Sequence, residues 1–440
     1  MSAGQRLLIR GGRVIDPASG RDVVADLLVV DGVVAAVGQD AAAGGTGCEV
    51  IDAAGLWVLP GLIDLHVHLR EPGYEYKETV LTGARAAAAG GFTAVACMPN
   101  TDPPNDGAAV TRAILRKAEE AALVRVYPIG CITAGQQGQR MAEFGDLVAA
   151  GCRAVSDDGR PVMHAGVMRR ALEYSRHFDI PVISHCEDLH LAGDGVAHEG
   201  AVATRLGLKP IPAAAEEVMV AREVVLARQT GARVHIAHVS TRGSVSLLAA
   251  AKAEGLAVTA EATPHHLTLT DEAIAGFDTA TKVNPPLRSE QDREALCRAL
   301  AEGIIDAIAT DHAPHGLADK DLEFDVAANG LVGLETALPL VLRLVTEGSC
   351  SLHRAIDALT WRPARILGVP GGRLAPGDPA DVTLVDPKEA WTVDPEKFFS
   401  KGRNSPFRGW RLTGRVRATI VGGRIVFRDG VIVGGESRCA

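Results

Sequence analysis

The sequence has no excess of positive charge: 45 Lys and Arg face 54 Asp and Glu, for a formal net charge of −9. That balance excludes a protein built to grip a phosphate backbone, which needs a basic field to displace counterions. It leaves a small molecule as the expected partner. No two of the eight cysteines make a C-x-x-C pair, so a thiolate zinc knuckle is excluded and the thiols read as reduced and mostly buried. Long apolar runs are missing too. Nothing approaches the roughly 18 uncharged apolar residues needed to span a bilayer, and residues 1–12 lack a signal peptide's apolar stretch. The expectation is a cytoplasmic protein. No G-x-G-x-x-G follows a strand-like run, so Gly90-Gly91 and Gly371-Gly372 read as helix caps or turns rather than a dinucleotide cradle.

What is present is a large aliphatic stock. Hydrophobic residues make up 47% of 440, ordinary for a globular enzyme and enough for one large domain plus a smaller one. Residues 7–59 are short β-branched runs punctuated by Gly and Asp. The same texture returns at 381–385, 417–421 and 424–427. The two ends are therefore expected to pair into one small β-sandwich domain, residues 1–60 with 365–440.

The middle, residues 61–364, alternates short apolar strands with amphipathic helical stretches, the pattern of repeated βα units. Strands are expected at 62–68, 92–98, 125–130, 153–158, 181–185, 233–239, 257–262 and 306–311. Helices are expected between them, at 77–89, 109–122, 213–229 and 289–301. Eight such units predict an α/β fold of the (β/α)8 TIM-type barrel, whose active site gathers at the C-terminal strand ends.

Those strand ends carry the chemistry. The first finishes His66-Val67-His68; side chains alternate along a strand, so both imidazoles project from one face and can share a metal. Alone, an H-x-H pair is weak, since two satisfied core histidines would look the same. But other strands finish on Asp158, His185, His238 and Asp311. As independent buried polar groups, each would need its own partner. Converging on one rim, they make a metal centre. Imidazoles and carboxylates without thiolates suit Zn²⁺, one or two ions per chain. A cation of that kind lowers the pKa of a coordinated water from about 15.7 to about 7 and polarises a carbonyl. At strand four Asp157 is the neighbour of opposite parity, and it is the alternative ligand to Asp158.

The order of motifs is more specific. Pro60-Gly61-Leu62-Ile63-Asp64-Leu65-His66-Val67-His68-Leu69-Arg70-Glu71-Pro72-Gly73 resembles the opening signature of dihydroorotases, particularly the longer bacterial type within the amidohydrolases. Cys97-Met98-Pro99-Asn100-Thr101, Ser156-Asp157-Asp158-Gly159, Thr263-Pro264-His265-His266-Leu267, Asn284-Pro285-Pro286-Leu287-Arg288 and Ala309-Thr310-Asp311-His312-Ala313-Pro314-His315 follow in the family's order across almost the whole chain.

The resemblance implies reversible hydrolysis of the cyclic amide of dihydroorotate to N-carbamoyl-aspartate in pyrimidine biosynthesis. It implies one metal on His66, His68 and Asp311, a second on His185 and His238, and Asp158 as the bridge where many amidohydrolases use a carboxylated lysine. Asp311 would also take the water's proton and pass it to the leaving nitrogen. Arg70, Asn100 and His315 would hold the substrate carboxylate, and Asn284 and the backbone at Gly330 the remaining ring amide groups. Family members act as homodimers or in complex with aspartate transcarbamoylase.

One departure is visible. Where relatives carry a proline ahead of the Gly-x-Glu-Thr run, this chain has Ala327-Ala328-Asn329-Gly330, which is expected to loosen the Gly330 contact. Two other readings share parts of the pattern. An allantoinase or hydantoinase would have the barrel and the H-x-H, but generally a lysine bridge and neither the Asn-Pro-Pro-Leu-Arg nor the Asp-His-Ala-Pro-His run. A non-catalytic scaffold subunit would have lost the histidines that are all present here. His235 is expected to face away from the metal by strand parity, and His265, His266 and His312 to make structural hydrogen bonds.

Overall fold

The structure, a computed structural model, describes residues 6–45 and 47–434. Eight short parallel strands occur in the expected order, and we number them β1 (Leu62–Val67), β2 (Phe92–Cys97), β3 (Arg125–Gly130), β4 (Ala154–Ser156), β5 (Val182–Ser184), β6 (Val234–Ile236), β7 (Val258–Ala262) and β8 (Ala307–Ile308). They pair in sequence from β1 to β8. The ring closes where Val67 bridges His312 and His68 N–H donates to His312 O at 2.9 Å. Every residue of β1 and β2 is buried, as expected when helices cover one face of a parallel strand and the barrel interior fills the other.

Helices follow the strands as the spacing predicts: Val80–Ala89, Ala108–Ala121, Ala214–Thr230 and Glu290–Glu302. Their starts are set by local chemistry. Thr79 accepts from Thr82 N–H, Thr241 from Ser244 N–H and Ser289 from Asp292 N–H, each pairing a donor the helix leaves orphaned. Inside the barrel Ile63, Leu65, Ala96, Met98, Ile129, Ile183, Ala307 and Ala309 form one cluster, completed by Ala364, Ile366, Leu367 and Val369 from the end of the chain's last barrel helix.

The chain ends meet in a nine-stranded sheet. Trp57–Pro60 lies beside Val382–Thr392, and Leu7, Ile9, Val29 and Val58 share a core with Val382, Leu384 and Ile420. Between 393 and 410 the chain leaves this sheet and packs on the barrel face, with Val393, Phe398 and Phe407 clustered against Leu269, Val283, Leu287 and Leu331. That excursion carries Asn404 to the site described next. Of the cysteines, Cys97, Cys131, Cys152, Cys186, Cys297 and Cys350 are free and buried, Cys48 is half-buried, and Cys439 lies outside the described residues. Among the described residues no helix is long and apolar enough to cross a membrane.

Candidate metal centre

The strand-end imidazoles and carboxylates do converge. Asp158 sits at the middle: its Oδ1 is 3.3 Å from His66 Nε2 and 3.6 Å from both His185 Nδ1 and His238 Nε2, and its Oδ2 is 3.6 Å from His68 Nε2. Asp311 Oδ1 lies 3.0 Å from His68 Nε2 and 3.6 Å from His66 Nε2. The donor atoms fall into two metal-competent groups, His66 with His68 and Asp158, and His185 with His238 and Asp158. Asp158 belongs to both, the position of a bridging carboxylate. Asp157 is not at the centre: it accepts from Ile132 N–H at 2.8 Å, Thr133 N–H at 3.1 Å and the Thr133 hydroxyl, and holds the loop after β3.

Whether these residues suit a cation can be judged from their unmet bonding. His66 Nε2, Asp158 Oδ1 and His238 Nδ1 are buried without a hydrogen-bond partner. Burying such atoms unpaired costs about 1–3 kcal/mol each. The Nε2 and Oδ1 among them point into the cluster, where a cation would satisfy them. Electrostatics agree. Burial alone would push the Asp158 carboxyl up, but the His66 charge and the neighbouring His185 and His238 imidazoles bring it well below the usual range. His185 is pulled down by burial and more than restored by Asp158 and Glu187, to about 10. Protons on His66 and His185 thus offset the carboxylate charge, and metal binding would displace those that point into the cluster.

The ligands are aimed by partners of their own. His66 Nδ1 lies 2.8 Å from Glu261 Oε1, and His68 Nδ1 lies 2.9 Å from Asn100 Oδ1, leaving both Nε2 atoms for the centre. His185 is reversed: Nε2 is 3.3 Å from Glu187, and Nδ1 faces Asp158. Asp64 accepts from His66 N–H at 3.0 Å and Thr310 N–H at 3.1 Å, tying the ends of β1 and β8 together beside Asp311. His238 and Asp311 both occupy the left-handed region, φ 32 and 48, a local strain typical of side chains aimed at a site. Glu216 accepts from Ser240 and Thr241 N–H groups, and Arg288 Nε donates to Ser240 Oγ at 3.0 Å, so the Asn-Pro-Pro-Leu-Arg run braces the loop after His238.

A cleft of about 210 Å³ opens beside the centre, lined among others by Arg70, Asn100, Asn284, His315 and Gly330. Arg70 donates through Nε to Pro314 O at 3.3 Å, and its Nη2 sits 3.4 Å from His315 Nε2. His315 Nε2 is also 2.8 Å from Asn329 O, a pure acceptor, so that nitrogen carries the hydrogen and Arg70 gains no bond from it. No ion pair to Arg70 is found among the described residues. A half-buried guanidinium with spare donors faces the cleft. Asn284 Nδ2 donates to Glu187 Oε2 at 3.1 Å. Gly330 lines the cleft, but its N–H donates to Lys282 O at 2.8 Å, and its carbonyl accepts from Lys320 Nζ at 2.9 Å and Asn404 Nδ2 at 3.0 Å. The loosening expected from Ala328 is therefore opposed by Lys320, which also binds the Ala328 carbonyl at 2.7 Å.

Sequence reasoning passed over Glu261, Asp64, Glu187 and Asn404. The first two carried a signal: an acid inside a buried parallel strand must have a partner. Glu187 stands two residues past His185, at the parity of a ligand. Asn404 had no signal, being brought in by the excursion of the distant chain end. His235 also proved more than a bystander, its Nε2 lying 3.1 Å from Glu261 Oε2. His266 and His312 do make structural bonds, to Thr263 and Pro285 O and to Glu78 and Gly333 N–H.

A closed βα barrel with imidazoles and a shared carboxylate at its C-terminal rim defines a metal-dependent amidohydrolase. Solved relatives share the architecture: L-hydantoinase (dihydropyrimidinase) from Arthrobacter aurescens aligns with a TM-score of 0.88 at 26% identity, covering 97% of both chains. Dihydropyrimidinase from Brevibacillus agri NCHU1002 aligns at 0.86 and 25%, covering 98% of this chain and 97% of its own. Residues 55–244 match the dihydro-orotase-like family model. A dihydroorotase from Syntrophotalea carbinolica is 57% identical over 96% of this chain and 99% of its own length, and one from Anaeromyxobacter dehalogenans strain 2CP-1 is 57% identical over 96% and 98%. The chain belongs to the dihydroorotase family.

Proposed function

We infer that this protein is a dihydroorotase, interconverting L-dihydroorotate and N-carbamoyl-L-aspartate by hydrolysis and closure of the cyclic amide in pyrimidine biosynthesis, with zinc as its metal. The observation that carries the reading is the pairing of a buried imidazole–carboxylate centre with the uncommitted Arg70 guanidinium in the same cleft. A cyclic amide bearing a carboxylate satisfies both. A neutral ring such as hydantoin or dihydrouracil would leave the spare donors of this half-buried cation unanswered, forfeiting about 1.5–3 kcal/mol of charge-assisted hydrogen bonding.

His66, His68 and Asp311 would hold one ion and His185 and His238 the other, with Asp158 between them. When bound, the ions supply electrophilic activation of the amide carbonyl and a water acidic enough to lose its proton near neutrality. The remaining work belongs to the chain. Arg70 and the Asn100 amide hold the substrate carboxylate and so fix the ring's register, while His315, expected to join them, has its Nε2–H committed to Asn329 O and its Nδ1 facing Lys77 Nζ at 3.3 Å, and lines the cleft beside Arg70. Asn284 and the Gly330 segment border the ring's other amide edge; with both Gly330 backbone groups engaged internally, its part is to shape the cleft. Asp311 Oδ accepts the water's proton and returns it to the departing ring nitrogen. In ring closure the same carboxylate runs the transfer backwards.

Turnover of dihydroorotate, hydantoin, dihydrouracil and allantoin by the purified chain tests this, before and after chelation and with Zn²⁺ restored. Dihydroorotate should lead by at least about 100-fold, since the site's polar groups stay unpaired with rings lacking the carboxylate. Chelation should abolish the rate and Zn²⁺ recover it. A preference for a neutral ring would refute the assignment.

A further inference from the structure

Behind the ligands, the barrel interior holds a polar series that takes no direct part in the reaction. Glu261 on β7 is fully buried. Its Oε1 lies 2.8 Å from His66 Nδ1, its Oε2 3.1 Å from His235 Nε2, and His235 Nδ1 lies 2.9 Å from Thr259 Oγ1. A carboxylate accepts only, so the hydrogens sit on His66 Nδ1 and His235 Nε2, and the Thr259 hydroxyl donates to His235 Nδ1. Glu261 Oε1 also accepts from His238 N–H at 3.4 Å, which completes its partners in the series. With the Nδ1 hydrogen held there, the proton that a cation would displace from His66 is the one at Nε2, the atom facing Asp158 and Asp311.

We propose that Glu261, itself held by His235 and Thr259, is a positioning residue of the metal centre: it locks His66 into the Nδ1–H tautomer and orientation that present Nε2 to the ion. The proposal rests on the metal reading above. Its distinguishing consequence follows from the chemistry of a glutamine at this place. The amide of a Glu261→Gln variant could still offer its oxygen to His66 Nδ1–H, but it would turn an NH₂ toward His235. His235 can accept that NH₂ only by moving its hydrogen to Nδ1 and donating to Thr259, whose hydroxyl can accept as readily as donate. Valine at 259 removes that escape. Glu261→Gln is therefore buffered by Thr259, and the two positions are coupled.

The test is metal affinity of the purified chain, stripped and titrated with Zn²⁺ against a chromophoric chelator and with Co²⁺ followed by visible absorption, with thermal unfolding of each metal-free variant recorded. Glu261→Ala should weaken the binding step that uses His66 by about 10- to 100-fold and change the Co²⁺ spectrum. Glu261→Gln should lose less than about tenfold and keep a near-native spectrum. Thr259→Val alone should change little, while Glu261→Gln with Thr259→Val should fall to the level of the alanine variant. A Glu261→Ala chain with wild-type affinity and spectrum overturns the proposal, including one that has lost only metal-free stability. If that variant does not fold, equal affinities for Glu261→Gln with and without Thr259→Val overturn it instead. A wild-type chain that binds neither ion removes the metal reading and the proposal together.

Discussion

Asp311→Asn separates holding the metal from moving the proton. Asp311 sits at φ 48, a conformation asparagine accepts as well as aspartate does, so the exchange adds no backbone strain. The amide keeps an oxygen where Oδ1 now lies, 3.0 Å from His68 Nε2 and 3.6 Å from His66 Nε2. What disappears is one negative charge and the ability to accept a proton. Burial alone would raise the Asp311 carboxyl, but the charges of His66 and His68 with the His68 hydrogen bond bring it well below the usual carboxylate range. As the proposed base, Asp311 is therefore ionised near neutrality, whereas an amide is no base at any pH.

Loss of a positioned general base typically costs about 10²- to 10⁴-fold, and at 1.36 kcal/mol per decade that is about 3–5 kcal/mol of barrier. The Asp311→Asn chain should retain metal, because Asp158 still supplies the anionic charge shared by both ligand groups. The assay is kcat and kcat/KM for ring opening and ring closure at saturating metal, with metal content measured on the same sample. The two kcat/KM values must fall by the same factor at one pH, because their ratio is the overall equilibrium constant, which a substitution cannot shift. A fully loaded Asp311→Asn enzyme within tenfold of wild type would refute the role given to this carboxylate.

Arg70→Lys keeps a charge in the cleft but loses the planar fork, so kcat/KM for dihydroorotate should drop by about 10- to 100-fold, carried mainly by KM; an unchanged KM would show that the carboxylate binds elsewhere. Glu335 gives a pH prediction away from the site. Burial raises its carboxyl from 4.5 to about 8, while hydrogen bonds from Ser400 and Phe399 N–H oppose that. Between those pH values the folded chain keeps a proton that the unfolded chain has released, so the Glu335 contribution to stability falls as pH rises and levels off above about 8. Glu335→Gln keeps the acceptor for both N–H groups and removes this slope, with a gain of about 3 kcal/mol at pH 7 and none near pH 4. Urea unfolding at the two pH values checks it; parallel losses at both would contradict the assignment.

What could be read from the sequence, and what could not, divides along a physical line. A candidate ligand at a strand's C-terminal end announces itself because parity and barrel topology together predict where it points; the convergence of His66, His68, Asp158, His185, His238 and Asp311 was legible on that ground. Parity also favoured Asp158 over Asp157, and the structure gives the reason: Asp157 is already spent on the Ile132 and Thr133 donors. The same parity argument correctly turned His235 from the metal but gave no sight of its partners. In a closed barrel a side chain turned from the metal can still be turned toward the interior, where β6 meets β7 and Glu261 waits. Partners of that kind depend on which residues of neighbouring strands come level, and register is set by the whole ring rather than by any one strand. Asn404 lies one step further out. Its reach to the Gly330 carbonyl depends on a return of the chain across 74 residues of sequence, and no local pattern encodes that return. The reactive groups of this site are thus written locally, and the groups that hold them still are written in the tertiary packing. Substitutions in the second set should therefore disturb metal affinity and geometry while leaving every motif of the first set intact.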